Sequence, residues 1–378
     1  MKAFKLSMLL SMCVFATSGC GEEASPQGSL SPMASRSAPL EGTVPWSVNS
    51  SMESERQLHT ATLLGSGEVL VAGGNNLRQG YIQAAELYNP YSDSWYPTGP
   101  LNFARWGHTA VELRSGQVLI TGGMSVDGLT ATAELYDPHT GTWSPTGSMN
   151  VARLLPTITR LDSGKVLVTG GYDNGSILTS AELYDPSTGT WSETGSMNLA
   201  RAEHVATPIT AGQVLVTGGW NLQDGVLKSA EVYNSKTGQW TQLGAMSVPR
   251  LSHTATRLYS GKVLVTGGAE GYADDTVELY DPYNKKWSVM PSMKVPRVGH
   301  LATQLYSGQV LVTGGVGEED YEASAEVYDP GSNAWVPVGT MNQARTYHTA
   351  TRLPTGQVLV TGGQDFNGVH KGVVRFSP

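Results

Sequence analysis

The 378-residue chain carries 24 Lys and Arg against 32 Asp and Glu, a formal net charge of −8. That negative surplus disfavours nucleic acid, whose binding depends on basic side chains neutralising phosphates. Gly is counted at 45 and charged residues make up only 15%, which suits short strands joined by tight turns better than helices with charged faces.

In chain order, Met1-Lys2-Ala3-Phe4-Lys5 precedes the apolar run Leu6 to Thr17 and then Ser18-Gly19-Cys20. A basic start, an apolar stretch too short to span a bilayer and a small-residue exit predict an export signal over residues 1–19. Thr17-Ser18-Gly19-Cys20 resembles the bacterial lipobox. The resemblance implies cleavage before Cys20 and lipidation of that cysteine, although the family prefers Leu where Thr17 stands. Cleavage there would remove Cys13, leaving no internal disulfide, and would remove Lys2 and Lys5, taking the charge from −8 to −10. Residues 20–45 are rich in Ser, Pro and Gly without period 2 or 3.6, which predicts a flexible tether reaching about 28 Å as a coil. The expected address is a bacterial outer membrane or cell surface, reached only through the lipid on Cys20, or otherwise the periplasm or medium.

From Trp46 a unit of about 48 residues recurs, marked by the seven glycine pairs that begin with Gly73-Gly74, Gly122-Gly123 and Gly170-Gly171 and end with Gly362-Gly363. Each unit holds four strand-length apolar segments, here lettered A to D: in the first, His59 to Leu63, Val69 to Ala72, Ala85 to Tyr88 and the stretch centred on Trp95. Ser-Gly turns such as Ser115-Gly116 join A to B, and Asp137-Pro138-His139-Thr140-Gly141 joins C to D. Strand B is apolar without alternation, as in Val166-Leu167-Val168, so both its faces should be buried between stacked sheets. Trp46 stands ten residues before Arg56, as Trp95 stands before Arg105. The chain therefore opens with an orphan D strand and should close a ring of seven four-stranded blades with it, over residues 46–378.

Arg-x-x-His, a B strand ending in Gly-Gly, Glu-Leu-Tyr-Asp-Pro and then Trp resemble the kelch repeat from Trp46 to the C-terminus. The resemblance implies an all-β, seven-bladed propeller of antiparallel kelch blades, and leaves the ligand open because that family includes adaptors, peptide binders and a few enzymes. Kelch-containing copper radical oxidases cross-link a tyrosine to a cysteine, and beyond Cys20 there is no cysteine to supply that bond. No cofactor or metal is expected: the six repeat-position histidines, His59, His108, His204, His253, His300 and His348, cannot converge on one ion from around a wide ring.

The D-strand tryptophans should pack between blades, and the recurring arginines should pair with strand C glutamates such as Glu86, Glu134 and Glu182. In the last blade Val373 and Val374 stand where Glu is expected, so Arg345 should lack its partner and is a candidate anion contact. The A-to-B and C-to-D loops are nearly invariant, whereas the D-to-A and B-to-C loops vary and share the opposite face, where recognition belongs. Candidate ligand contacts there are Trp106, Glu203, Trp220, Tyr347, Tyr81, Tyr172, Tyr272 and Phe366. Aromatics beside carboxylates suit a protein or glycan partner of a monomeric, non-catalytic binding module. The alternatives are an exported enzyme on sugars, such as the kelch sialic-acid mutarotases, with Glu203 beside Arg201 as acid or base, and a purely structural envelope component.

Overall fold

The computed structural model describes residues 45–210 and 212–378; the expected signal, Cys20 and all of the tether but Pro45 lie outside the described residues. The first blade runs Thr60–Leu63, Val69–Ala72, Ala85–Asn89 and Ser94–Thr98, hydrogen-bonded in that order. Five more blades repeat it, and the seventh joins Thr349–Arg352, Val358–Thr361 and Val373–Phe376 to the N-terminal strand Trp46–Asn49. That last pairing runs antiparallel from Trp46 opposite Phe376 to Asn49 opposite Val373. The A strands of successive blades are neighbours all the way round, so strand A is innermost and the ring is a closed seven-bladed propeller.

Closure rests on strand B. From its first valine it is buried throughout in every blade, because each blade's B strand is covered on both faces by its neighbours. Between blades 6 and 7, for example, Leu305, Leu311, Val358, Val374 and Phe376 pack into one cluster. Each such side chain contributes roughly 1.5–3 kcal/mol by leaving water.

The glycine pair ending strand B is dictated by how near the next blade comes. At Gly218, φ is +57°, and a Cβ would lie 2.3 Å from the Arg250 carbonyl oxygen. No side chain fits there. The N–H of the second glycine then donates to an arginine carbonyl of the following blade, as Gly219 does to Arg250 at 2.7 Å and Gly363 to Arg56 at 2.9 Å.

Those arginines are fully buried. Arg201 typifies them: Nη1 donates to the Gly218 and Ser229 carbonyls, and Nη2 meets Glu231 at 2.9 Å. The corresponding pairs range from 2.5 Å for Arg56–Glu86 to 3.3 Å for Arg297–Glu326. The glutamate's other oxygen takes a backbone N–H, Asn198 to Glu231 at 2.7 Å, so the two charges are paired inside the blade, with only Arg201 Nε left without an acceptor among the described residues. On strand D, Trp240 stacks on its cross-strand partner Tyr233, centroids 5.1 Å apart, and donates from Nε1 to the Gly195 carbonyl of the preceding blade at 2.6 Å. The recurring tryptophans are thus interblade packing.

Two features depart from the sequence pattern. The B-to-C connections expected as plain loops are short β-hairpins in five blades, among them Tyr172–Asp173 with Ser176–Ile177 and Trp220–Asn221 with Gly225–Val226. The A-to-B side is also less uniform than the repeat suggests, since strand A ends on a different kind of residue in most blades and exposed Tyr259 and Tyr306 project from its turns.

Glu231→Val should cost about 3–5 kcal/mol in urea unfolding, because it strands the buried Arg201 charge. Val374 occupies the ladder position of those glutamates, opposite Val360 as Glu86 is opposite Val71. Val374→Glu should therefore cost less than about 1 kcal/mol or stabilise, and an equal loss in both variants would refute charge pairing as the cause.

Candidate functional site

Every D-to-A loop passes through Arg-x-x-His or its blade 3 variant, and the two middle residues have opposite fates. The first forms a bridge to the opening of its blade's B-to-C connection: Gln57 to Asn75, Trp106 to Met124, Leu154 to Tyr172, Ala202 to Trp220. That pairing buries it. The second adopts left-handed backbone in every blade, at Leu58, Gly107, Leu155, Glu203, Ser252, Gly299 and Tyr347. Neighbouring members bond to one another, Gly107 N–H to the Leu58 carbonyl at 3.1 Å, Leu155 to Gly107 at 2.8 Å, Ser252 to Glu203 at 3.2 Å and Gly299 to Ser252 at 2.9 Å. These residues rim one axial mouth. A left-handed non-glycine costs of order 1 kcal/mol, yet all seven positions share the conformation, so the strain belongs to the frame.

Within the rim, blades 3, 4 and 5 build a polar relay. Trp220 Nε1 donates to the Tyr172 hydroxyl at 2.8 Å, and that hydroxyl donates to Glu203 Oε1 at 2.8 Å. Ser252 Oγ donates to Glu203 Oε2 at 2.5 Å. The indole and phenol rings lie 6.0 Å apart at 59°. All four residues are half-buried. Both carboxylate oxygens thus accept from neutral donors, and no Lys or Arg forms an ion pair with Glu203 among the described residues. A fixed negative charge beside a flat aromatic face can take hydroxyl or ammonium donors.

The other candidates are dispersed. Trp106 is only 4% exposed, so the sequence expectation of an exposed indole is corrected: as first member of its loop pair it bridges Met124 and lies beneath the face, 6.5 Å from Tyr81. Tyr347 belongs to the rim, on the far side from Glu203. Tyr272 is exposed in blade 5, and Phe366 packs edge-on against Tyr321 at 4.7 Å between blades 6 and 7. Arg345 forms no ion pair with a carboxylate among the described residues, but it is fully buried, with Nη1 on the Gly362 and Gly372 carbonyls and Nη2 on Asn342 Oδ1 at 3.2 Å. Burial pulls it down to about 10. Arg201 is likewise buried on Glu231, so it is not assembled with the Glu203 carboxylate. Ser252 is the residue that sequence reasoning missed, although it occupies the Glu203 position one blade on.

Directly after the rim residue stands the histidine. His204 Nε2 shares hydrogen bonds with Thr157 and Thr169 of the preceding blade at 3.0 and 3.1 Å; His59 and His300 likewise bond two threonines of the preceding blade, and His108, His253 and His348 bond one. Burial first, then the neighbouring arginine, holds His108, His204, His300 and His348 down at about 3. The described residues contain no cluster of three His, Cys, Asp or Glu suited to a metal. Because these imidazoles bind protons less readily folded than unfolded, their stability is complete above about pH 6.5 and is lost as pH falls towards 3. The melting temperature should therefore be flat above neutrality and fall steeply below pH 6, and His300→Gln should reduce that slope, measured by melting across pH.

The attractin/LZTR1 β-propeller pattern matches residues 164–374, and the kelch motif matches residues 105–150. A comparison with curated proteins finds no match. Among solved structures, a novel fungal alcohol oxidase of the AA5 family, in complex with copper, is 19% identical with a TM-score of 0.74, covering 88% of this chain and 76% of that one. At that identity the likeness concerns the fold alone.

Proposed function

We propose, because this chain belongs to the attractin/LZTR1 β-propeller family, whose frame presents loops on a rigid disc, that it is a non-catalytic module binding a protein or glycan through its Glu203 face. One observation carries this reading: Glu203 is fixed at the rim by Tyr172 and Ser252 beside Trp220, with its charge left for a ligand to meet. A carboxylate next to a half-buried indole fits a sugar ring with its hydroxyls, or a basic side chain of a protein partner. Elsewhere on the same face a cavity of about 410 Å³ is lined by Glu53, Glu55, Arg78 and Lys371 without an aromatic, which suits neither so well.

The test is a glycan array and a pull-down. Saturable binding that weakens at least tenfold in Glu203→Gln and Trp220→Ala supports the module. Catalytic turnover of a sugar, lost in Glu203→Gln, would replace it with the enzyme reading, and absence of any ligand on this face would leave a structural role. Trp106→Ala should lower the melting temperature, since that indole is buried.

The proposal extends to the address. Lipidation of Cys20 would hold the propeller at a membrane surface outside the cytoplasm, in line with the basic and apolar residues before it. Cys20→Ser should abolish incorporation of labelled palmitate and move the chain from the membrane fraction to the soluble one. Unchanged labelling would sink the lipid anchor.

A further inference from the structure

The opposite mouth of the axis has its own chemistry. Strand A ends in each blade on the residue paired with the first valine of strand B. Three of these register-equivalent positions hold arginine: Arg160 in blade 3, Arg257 in blade 5 and Arg352 in blade 7. The other four hold Leu63, Glu112, Pro208 and Gln304. Because strand A is innermost all round, the seven form a ring about the axis at the A-to-B side. Three guanidiniums face one carboxylate there, on a chain whose net charge is −8.

Two of the arginines are tethered by one edge only. Arg160 Nη1 donates to the Glu112 carbonyl at 2.6 Å, and Arg352 Nη1 to the Gln304 carbonyl at 2.7 Å. The Arg352 guanidinium also lies over the Tyr306 ring, 4.3 Å from its centroid. Their Nε and Nη2 groups, and every side-chain donor of Arg257, meet no acceptor among the described residues. Glu112, the one acid of the ring, accepts the Gly65 N–H at 2.9 Å. A cavity of about 330 Å³ opens beside Arg160, between Glu112 and Pro208. The seven arginines of the Arg-x-x-His position are buried in the blades, so these three form a separate population.

We infer that this second mouth is a binding site for a multivalent oxyanion, one bearing two or more carboxylate or phosphate groups. A guanidinium fork matches either group in bidentate geometry, and pre-anchoring one edge of Arg160 and Arg352 lowers the entropy they lose on binding. Arginines on alternate blades call for more than one anionic group in the ligand. Solvent reaches the mouth, so binding is moderate and screened by salt.

The test is calorimetric titration of the full chain with pyrophosphate and, separately, with citrate. Saturable binding of either supports the site, and the preferred probe tells phosphate from carboxylate. Arg257→Gln should weaken binding about tenfold, with Arg257→Lys intermediate because charge remains while the fork is lost. Arg257 makes no side-chain hydrogen bond among the described residues, so its replacement leaves the melting temperature unchanged. Arg160→Gln and Arg352→Gln should weaken binding similarly, whereas Glu203→Gln at the far mouth leaves it intact. No saturation by either anion at about 10 mM, on the order of the weakest specific affinities, would overturn the inference. So would equal affinity in wild type and Arg257→Gln.

Discussion

One buried arginine per blade ties the propeller together. Its backbone carbonyl receives the second glycine N–H of the preceding blade, its Nη1 caps the end of its own B strand, and its Nη2 meets the strand C glutamate. A single residue therefore links two blades and three strands. A guanidinium in so dry a place is tolerable only because hydrogen-bond acceptors surround it, and the glutamate supplies the compensating charge. Blade 7 breaks that rule: strand C there carries Val374, and Asn342 turns its side-chain oxygen to Arg345 instead. The hydrogen bond is replaced, and burial, opposed by the Asp365 charge, depresses Arg345 to about 10.

Fixing the arginine also fixes the three residues after it. The first of them must pair with the B-to-C connection and is buried; the second must turn left-handed and is presented at the rim; the histidine then plugs into the neighbouring blade. Of four consecutive residues, one is free to vary towards solvent. Glu203 acquires its character there from three blades at once, since Tyr172, Ser252 and Trp220 all come from different loops. A related division operates at the other mouth, where in blades 3, 4 and 5 the last residue of strand A is exposed while the rest of the strand is at least half-buried. The two mouths thus differ in charge, a carboxylate at one and guanidiniums at the other, on a frame that is otherwise repetitive.

The repeat made the fold legible. Seven glycine pairs, seven arginines and the position of Trp46 dictate the blade number and the closing strand, because any residue needed by the packing must recur in each blade. Those same regularities identified the tryptophans as packing and the glutamates as arginine partners. The site was legible only in part. Glu203, Tyr172 and Trp220 stand out as departures from the repeat, but so does Trp106, which is buried. Nothing in a two-residue variable slot announces that its first member bridges a hairpin while its second turns left-handed.

By itself, then, the sequence determined the blade count, the strand order, the ring closure and the buried charge pairs, since each depends on contacts that repeat with the chain and leave a periodic trace. Tertiary structure alone decided which variable residues meet, Ser252 with Glu203 and Tyr172 with Trp220, and which share a rim, as three arginines do at the far mouth. Those meetings join residues a blade or more apart around an axis, and each occurs once. A contact that occurs once leaves no periodicity to read.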